Sequence, residues 1–496
     1  MSSDAIDHPL VYEINARCWL RALSARHGRS ILLGDVPEEE LEVWRSLGFT
    51  HIWMMGVWTT GPRSRDVFLR QPDTAGRLKV ALPDWREEDV AGSSYALAAY
   101  RVPASLGGDA GLRAFREQLH RHGLGLLLDF VPNHVGLDHP WLREHPDWFV
   151  RAGHPAPGTF PMPTRKGEVR IAHGKDPNFP PWIDTAQLDF RLPALRASVI
   201  EQLQSVATMC DGVRCDMAML LINDVFARTW EGFPSSSPTP QSEFWADAIA
   251  AVRKPGFLFL AEAYWDLEAR LQSLGFDFTY DKRVLDFLIE RRPAELRRHL
   301  LERGVAFVRR CAHFLENHDE PRIAPRLSLE EHRAAALLVL ALPGLRLLHD
   351  GQLDGARVHV PVHLGRRPYE APDPAIAALY RQLLGTLAPT AIGRGTPRIL
   401  EVLPAAATDE SFENVTVIEW QTQIGACDLV VVNLSSQPAR VRIPVPGNRP
   451  GANVWRLRDL ADPQGAPPCE VQMEQNALTL HLRPHAALVL HPNSCN

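Results

Sequence analysis

The sequence predicts a (β/α)8 TIM barrel followed by an all-β sandwich. The first ~390 residues alternate short apolar strands with amphipathic segments, as in a parallel sheet covered by helices. After residues 393–398 the pattern changes to short β-branched segments separated by turn residues, which is typical of a sandwich. We therefore expect a barrel domain over residues 1–392, with a loop subdomain at about 135–186, and a C-terminal sandwich over 393–496.

Eight candidate strands carry the barrel prediction. Since a plain barrel needs about 250 residues, the spacing of these strands indicates a barrel with insertions. The largest insertion runs from His134 to about Asp189. The strand candidates are residues 10–14, 51–55, 124–130, 211–215, 257–262, 276–280, 312–317 and 345–349.

Two units show the helix and strand signals in detail. Asp109 is placed to cap a helix that Gly123 ends, and the apolar positions between them share one face. The strand at 124–130 is nearly all apolar, as expected for a strand that is buried on both faces. A second helix is predicted to begin at Thr239 and Pro240, because proline is favoured in the first turn.

Composition and charge exclude several classes of protein. The 53 basic and 59 acidic residues give a net charge of −6. The overall charge therefore shows no excess of basic residues of the kind that binds nucleic acid or an anionic membrane. The N-terminal ten residues lack a secretory signal, and the apolar run 334–345 is too short to cross a bilayer. Seven dispersed cysteines without a CxxC pair indicate a reducing compartment. We expect a cytoplasmic protein with no nucleic-acid or membrane partner, and its oligomeric state stays open.

Polar side chains follow four of the predicted strands, at the barrel rim where chemistry is found. Each has an ordinary alternative, such as a backbone cap or a structural ion pair, but their co-occurrence at one rim predicts a functional site. A metal site is the other functional interpretation, although no HExxH motif supports it. These residues are Asp129, Asn133, His134, Arg214, Asp216, Glu262, Asn317, His318 and Asp319.

Four ordered segments resemble the signature segments of the alpha-amylase family, glycoside hydrolase family 13. They are DFVPNH (129–134), GVRCD (212–216), AEAYW (261–265) and ENHD (316–319). The stretch GSSYALAAYRV (92–102) is similar to the segment after the second strand, but alanines at 96 and 99 replace two acidic residues that many members carry. The resemblance covers the barrel and extends to a C-terminal β domain.

The resemblance implies a role for each site residue. It makes Asp216 the nucleophile, Glu262 the general acid/base and Asp319 a third acid that stabilises the transition state. Arg214 would lie beside the nucleophile. Asp129, His134 and His318 would bind the sugar at the cleavage site, and Tyr95 would stack beneath it.

The chemistry of these residue types agrees with those roles. Retaining glycoside cleavage needs one ionised carboxylate and one protonated carboxyl about 5 Å apart. We expect Arg214 to lower the pKa of Asp216, and burial near Tyr264 and Trp265 to raise the pKa of Glu262. The sequence therefore predicts a retaining hydrolase of alpha-glucosidic bonds in alpha-glucans or oligosaccharides, acting through a covalent glycosyl-Asp216 intermediate.

Alternatives stay open on three points. The same residues would serve a transglycosylase or an isomerase of the glucanotransferase or trehalose/maltose type, and a non-catalytic carbohydrate-binding protein is more remote. No cofactor is predicted; Asn133 matches a position that often helps bind calcium, but no recognisable ligand set accompanies it. In the connection 349–370, Gln352, Arg357, Arg366 and Arg367 either contact the substrate, even a phosphorylated sugar, or belong to a solvated basic loop.

Overall fold

The computed structural model describes residues 7–165, 167–235, 237–238, 240–423, 427–445, 454–462 and 467–492. Eight strands close into a barrel in which every neighbouring pair is parallel, so the predicted barrel is confirmed. Each strand overlaps its predicted range. In chain order they are Leu10–Asn15, His51–Met55, Gly125–Phe130, Gly212–Cys215, Leu258–Ala261, Phe278–Tyr280, Cys311–Phe314 and Leu345–His349.

Helices cover the outside of the barrel and bury its apolar strands. In chain order they are α1 (Ala16–His27), α2 (Glu38–Ser46), α3 (Pro62–Leu69), α4 (Thr74–Ala81), α5 (Gly108–Arg121), α6 (Trp141–Glu144), α7 (Pro193–Ala207), α8 (Asn223–Thr229), α9 (Phe244–Val252), α10 (Glu268–Ser273), α11 (Lys282–Ile289), α12 (Pro293–Val308), α13 (Leu329–Ala341) and α14 (Pro374–Leu387).

The two helix starts predicted from the sequence are corrected by the structure. Asp109 lies in the first turn of α5, and its carboxylate accepts a hydrogen bond from the backbone N–H of Val102 instead of capping the helix. Helix α9 begins only at Phe244, because the preceding backbone is engaged elsewhere: the Asn223 side chain donates to the carbonyls of Pro240 and Ser242. Thr239 lies outside the described residues.

The excursion after the third strand contains its own small sheets. His134–Gly136 pairs antiparallel with Thr185–Gln187, which ties the two ends of the excursion together. Between them, Arg151–Ala152, Thr159–Thr164 and Gly167–Ala172 form a three-stranded sheet. Trp141 and Trp148 pack edge to face with ring centroids 5.0 Å apart, so they form part of a local core.

Over its described residues, the C-terminal region forms a nine-stranded antiparallel sheet, in line with the predicted all-β domain. We propose its boundary with the barrel between residues 392 and 393, in the connection from Leu387 to Thr396. The strands are Thr396–Leu400, Leu403–Pro404, Val415–Gln421, Cys427–Asn433, Ala439–Pro444, Val454–Asp459, Cys469–Glu474, Ala477–Leu482 and Ala487–Pro492.

Both faces of the central strand Cys427–Asn433 are buried. Leu429 and Val431 point into the core of the β domain, whereas Val430 and Val432 join the core of the barrel, because successive residues of a strand face opposite ways. The Trp420 indole, on the neighbouring strand, donates a 2.9 Å hydrogen bond to the carbonyl of Ala341 at the end of α13. The barrel and the β domain therefore share one continuous apolar contact.

Two further expectations concern membrane spans and cysteines. Within the described ranges, no helix combines the length and apolarity needed to cross a membrane. Six cysteines lie in those ranges, and five of them are buried, whereas Cys469 is exposed. Cys495 lies outside the described residues.

Candidate active site

Arg214 lies at the centre of a cluster of acidic side chains inside the barrel mouth. It projects from the fourth barrel strand and is completely buried. Its Nη1 is 2.8 Å from Oδ1 of Asp216, and its Nη2 is 2.9 Å from Oε2 of Glu262. Asp129 and Asp319 each place a carboxylate oxygen 3.8 Å from the same guanidinium. One cation is therefore shared by four carboxylates that come from four different strand ends.

Aromatic rings surround the guanidinium of Arg214. Its Cζ lies 5.4 Å, 5.2 Å and 5.7 Å from the ring centroids of Trp53, Tyr95 and Tyr280, within range of cation–π attraction. Its Nε donates to the Tyr280 hydroxyl at 3.2 Å. These contacts fix the plane of the guanidinium and so the positions of the carboxylates that it binds.

Glu262 follows the fifth strand and is held from two sides. Its Oε2 accepts a 2.6 Å hydrogen bond from the backbone N–H of Met217, and its Oε1 accepts a 3.0 Å bond from the Tyr264 hydroxyl. Burial raises the pKa of Glu262 to about 7, against the opposing effect of Arg214. Trp265, which was expected to help bury this carboxyl, is 39% exposed. Glu262 therefore holds its proton to near neutral pH.

Asp216 differs from Glu262 in the pairing of its second oxygen. Oδ1 is bound to Arg214, whereas the buried Oδ2 has no hydrogen-bond partner among the described residues. Burial raises the pKa of Asp216, and the guanidinium of Arg214 opposes this rise without cancelling it. The expected influence of Arg214 has the right sign, but the net lowering of the pKa of Asp216 is wrong because desolvation is larger.

A second network runs through His318. Its Nδ1 is 2.5 Å from Oε1 of Glu13, and its Nε2 is 2.9 Å from Oδ2 of Asp319 and 2.8 Å from the Tyr95 hydroxyl. Burial lowers the pKa of His318, but Asp319 and Glu13 outweigh it and raise that pKa well above its ordinary value. Burial likewise raises the pKa of Asp319, yet the charged His318 brings it down to about 2. Histidine and aspartate thus stabilise each other as ions.

Asp129 and Tyr95 extend this network toward Arg214. The Tyr95 hydroxyl lies 3.5 Å from Oδ1 of Asp129, whose Oδ2 accepts from the Gly56 N–H at 3.3 Å. Burial raises the pKa of Asp129 to about 7, with Arg214 and His318 opposing it. The Tyr95 ring stacks on the imidazole of His318, with an interplanar angle of 23°.

Among the described residues, His134 has no hydrogen bond or ion pair with the acidic groups around Arg214. Its ring lies 5.1 Å from that of Trp182 and beside the backbone of Tyr95. Burial lowers the pKa of His134 to about 4, so it is neutral. It is a hydrogen-bonding neighbour of the Tyr95 segment.

Asn133 makes the contacts of a loop-fixing residue. Its Oδ1 accepts from Nε2 of Gln187 at 3.1 Å, and its Nδ2 donates to Oε1 of Gln187 at 3.3 Å. Over the described part of the chain, no group of three or more histidine, cysteine or acidic side chains is arranged to hold a metal ion.

The connection 349–370 carries arginines that are engaged by acids of the protein. Arg366 binds Asp84 at 3.1 Å and Asp89 at 2.8 Å, and Arg367 binds Asp350. The two arginines are thus paired with acids of the protein and do not form a solvated basic loop, and substrate contact by either of them stays a prediction. The connection reaches the site elsewhere: Nε2 of His359 is 2.8 Å from the carbonyl oxygen of His318.

Sequence reasoning missed Glu13, Tyr280 and Trp53, which lie inside predicted strands. For Glu13, the available sequence signal was an acidic residue inside the otherwise apolar strand LVYEIN. The structure shows that this carboxylate is fully buried, and an acid is seldom buried without a partner. For the two aromatic residues nothing distinguishes a site role from ordinary core packing.

Sequence comparison finds similar proteins for this chain. An alpha-amylase from Haloarcula japonica is 25% identical over 376 residues, which is 70% of this chain and 48% of that protein. An alpha-1,4-glucan:maltose-1-phosphate maltosyltransferase from Pseudomonas aeruginosa is 29% identical over 198 residues, 38% of this chain and 25% of that protein. The chain is therefore similar in sequence to members of the alpha-amylase family. No protein-family model matches it, and its matches span half or less of these two curated relatives' length.

Solved structures with the alpha-amylase fold match nearly the whole chain. A maltogenic alpha-amylase from Thermotoga neapolitana has a TM-score of 0.68 at 19% identity, covering 98% of this chain and 99% of that one. An alpha-amylase from Geobacillus thermoleovorans in complex with acarbose has a TM-score of 0.66 at 18% identity, covering 99% and 100%. At these identities the likeness to alpha-amylases establishes the shared fold of barrel and β domain.

Proposed function

We propose that this chain is a retaining enzyme that cleaves alpha-glucosidic bonds of alpha-glucans or oligosaccharides. The observation that carries the proposal is the pairing of Asp216 and Glu262 with neighbouring nitrogens of the one Arg214 guanidinium. This pairing keeps the two carboxyl groups close together, as a retaining mechanism needs at about 5 Å. The similarity to alpha-amylase-family proteins and the activities named for those proteins support the substrate class.

The first step of the proposed reaction uses both carboxyl groups at once. Oδ2 of Asp216 attacks the anomeric carbon, and the bond from that carbon to the leaving oxygen breaks as the ester bond to Asp216 forms. Glu262 donates its proton to the leaving oxygen, which its raised pKa of about 7 allows. Arg214 holds Oδ1 of Asp216, so the free oxygen Oδ2 is directed toward the substrate.

The second step reverses the proton transfer. Ionised Glu262 takes a proton from water or from a sugar hydroxyl, whose oxygen attacks the anomeric carbon and releases Asp216. Asp319, with a pKa of about 2, stays ionised and stabilises the positive charge that develops on the sugar ring in both steps. His318 and Asp129 bind sugar hydroxyls, and Tyr95 lies beside the ring.

Hydrolysis and transfer differ only in the acceptor of the glycosyl group. The similar proteins include branching enzymes and a maltosyltransferase as well as an amylase, so transfer is the second candidate function. A hydrolase yields only shorter products, whereas a transferase yields longer or rearranged ones at high substrate concentration. An isomerase would convert maltose and trehalose into each other.

Time-resolved proton NMR of the purified protein tests the proposal. The substrates are maltose, maltotriose, maltohexaose, sucrose, trehalose and maltose 1-phosphate. We expect alpha-configured products before mutarotation, and their sizes distinguish hydrolysis from transfer. Asp216→Asn should bind the same sugars and keep its melting temperature within a few degrees but show no turnover. Beta-configured first products, or normal turnover by Asp216→Asn, would contradict the retaining mechanism.

A further inference from the structure

Glu13 is a fully buried carboxylate that is not one of the three acids expected for glycoside cleavage. It lies on the first barrel strand, and one oxygen is 2.5 Å from Nδ1 of His318. Its other oxygen, Oε2, has no hydrogen-bond partner among the described residues. A buried carboxylate with one such contact is costly, so His318 is the partner that holds it there.

The two ring nitrogens of His318 face opposite groups. Nδ1 faces Glu13, and Nε2 faces both Oδ2 of Asp319 at 2.9 Å and the hydroxyl of Tyr95 at 2.8 Å. Because Glu13 and Asp319 are both acceptors, a ring with hydrogens on both nitrogens satisfies the two contacts at once. The single hydrogen on Nε2 is then shared between Asp319 and the Tyr95 hydroxyl, which directs its own hydrogen toward Asp129.

We propose that Glu13 is a positioning residue of the reaction, which fixes the orientation and the doubly protonated form of His318 and, through it, the carboxylate of Asp319. The expected effect of Glu13 on turnover rests on the proposed function, whereas its effect on the protonation of His318 does not. A carboxylate that holds one nitrogen of an imidazole determines what the other nitrogen presents. Without the charge of Glu13, His318 loses one of the two carboxylates that keep it an imidazolium, and only Asp319 still favours that form.

Several charged and titratable groups face His318 besides Glu13. Asp319 follows His318 directly in the chain, and the Tyr95 ring stacks on the His318 imidazole. The other acidic groups around Arg214 lie farther from the imidazole. The exposed His359 contacts the backbone carbonyl of His318 and not its ring. The facing groups are Glu13, Tyr95, Asp129, Arg214, Asp216, Asp319 and His359.

The direct test is the isosteric variant Glu13→Gln, followed by two measurements. NMR of protein labelled with ¹⁵N in its histidine rings gives the ring nitrogen signals. The signals that disappear in His318→Gln belong to His318. We expect the His318 signal of the wild-type protein to show two protonated nitrogens at pH 7, and that of Glu13→Gln to lose its second proton at a lower pH than in the wild-type protein. Kinetically, we expect kcat to fall about 10–100-fold, as for carboxylate-held histidines elsewhere, while KM changes little.

A matched control separates positioning from stability. Glu316 is also fully buried, but its oxygens accept from Arg322 at 2.6 Å and from the Ile323 N–H at 2.7 Å. Glu316→Gln should lower the melting temperature without changing the His318 ring signals. Only Glu13→Gln should move the basic limb of the kcat/KM profile to lower pH.

Two outcomes would overturn the inference. Unchanged His318 ring signals in Glu13→Gln would show that the carboxylate does not set its protonation. Equal fold-losses in kcat from Glu13→Gln in the wild-type and His318→Gln backgrounds would show that Glu13 does not act through His318. If the wild-type protein turns over none of the sugars, the proposed function fails, and the ring signals still decide the role of Glu13.

Discussion

At the scale of single residues, the site assigns different charge states to chemically similar acids. Burial raises the pKa of Glu262 to about 7, whereas the contact with His318 brings the pKa of Asp319 down to about 2. Two carboxyl groups in different environments can therefore serve as an acid and as a fixed anion at the same pH. The environment, and not the residue type, separates the roles.

Glu262→Gln should distinguish substrates by their leaving group. A substrate with a poor leaving group needs the proton of Glu262, so its turnover should fall by about 10²–10⁴-fold. An activated aryl glucoside leaves without that proton, and its first step should be slowed far less. Steady-state and burst kinetics with maltotriose and with a nitrophenyl glucoside measure the difference; equal losses would argue against Glu262 as the acid.

The pH profile of kcat/KM should fall on its alkaline side near pH 7. Glu262 must be protonated in the free enzyme to act as the acid, and its protonated fraction decreases as the pH rises through its pKa of about 7. On the acid side, kcat/KM falls as Asp216 becomes protonated. Because burial raises the pKa of Asp216, this fall should lie at a higher pH than for an ordinary aspartate. With an activated aryl glucoside, Glu262→Gln should lack the alkaline limb. A wild-type limb above pH 9 would contradict the assignment.

At the scale of elements, local sequence predicts strands well and long-range partners poorly. The strands 51–55 and 345–349 were predicted to the residue, because an apolar run between turn signals is a local property. Glu13 and His318 are 305 residues apart, and no local pattern reports their contact. For the same reason the start of α9 was misplaced, since a contact with Asn223 decides it.

The connection 349–370 is a structural element held down by ion pairs, so a variant should affect stability more than catalysis. Asp89 is almost fully buried and binds Arg366 at 2.8 Å. Arg366→Gln removes one of the two arginines that bind this carboxylate, since Arg21 remains at 2.9 Å, and we expect the free energy of unfolding to fall by about 1 kcal/mol. Arg357→Gln, at an exposed arginine of the same connection, should cost almost nothing. Urea unfolding measures the free energy of unfolding of both variants. A large rise in KM for Arg366→Gln with unchanged stability would indicate instead that Arg366 contacts the substrate.

At the scale of the whole molecule, the barrel and the β domain depend on one shared apolar contact. The inner face of the sheet and helix α13 bury each other, and the Trp420 indole is bonded to the last residue of that helix. Because α13 is buried between the barrel and the sheet, neither part covers its apolar surface alone.

Trp420→Ala should therefore destabilise the barrel as well as the β domain. Loss of a buried tryptophan costs about 3–5 kcal/mol, and the unfolding transition should stay single while its midpoint falls. Trp420→Phe keeps most of the ring contact and should lose less. Circular dichroism and thermal inactivation measured together test the coupling; an unchanged inactivation temperature in Trp420→Ala would show that the two parts unfold independently.

The burial of α13 on all sides also limits how this protein can be recombined with its relatives. If this barrel were joined to the β domain of a relative, the new sheet face would have to cover a helix whose residues Ala334–Ala341 are all buried here. Such a hybrid would need the sheet face around Trp420 to be transplanted with the barrel. Helix α13 and the sheet face that covers it should therefore be transferred together, because neither domain alone buries the helix.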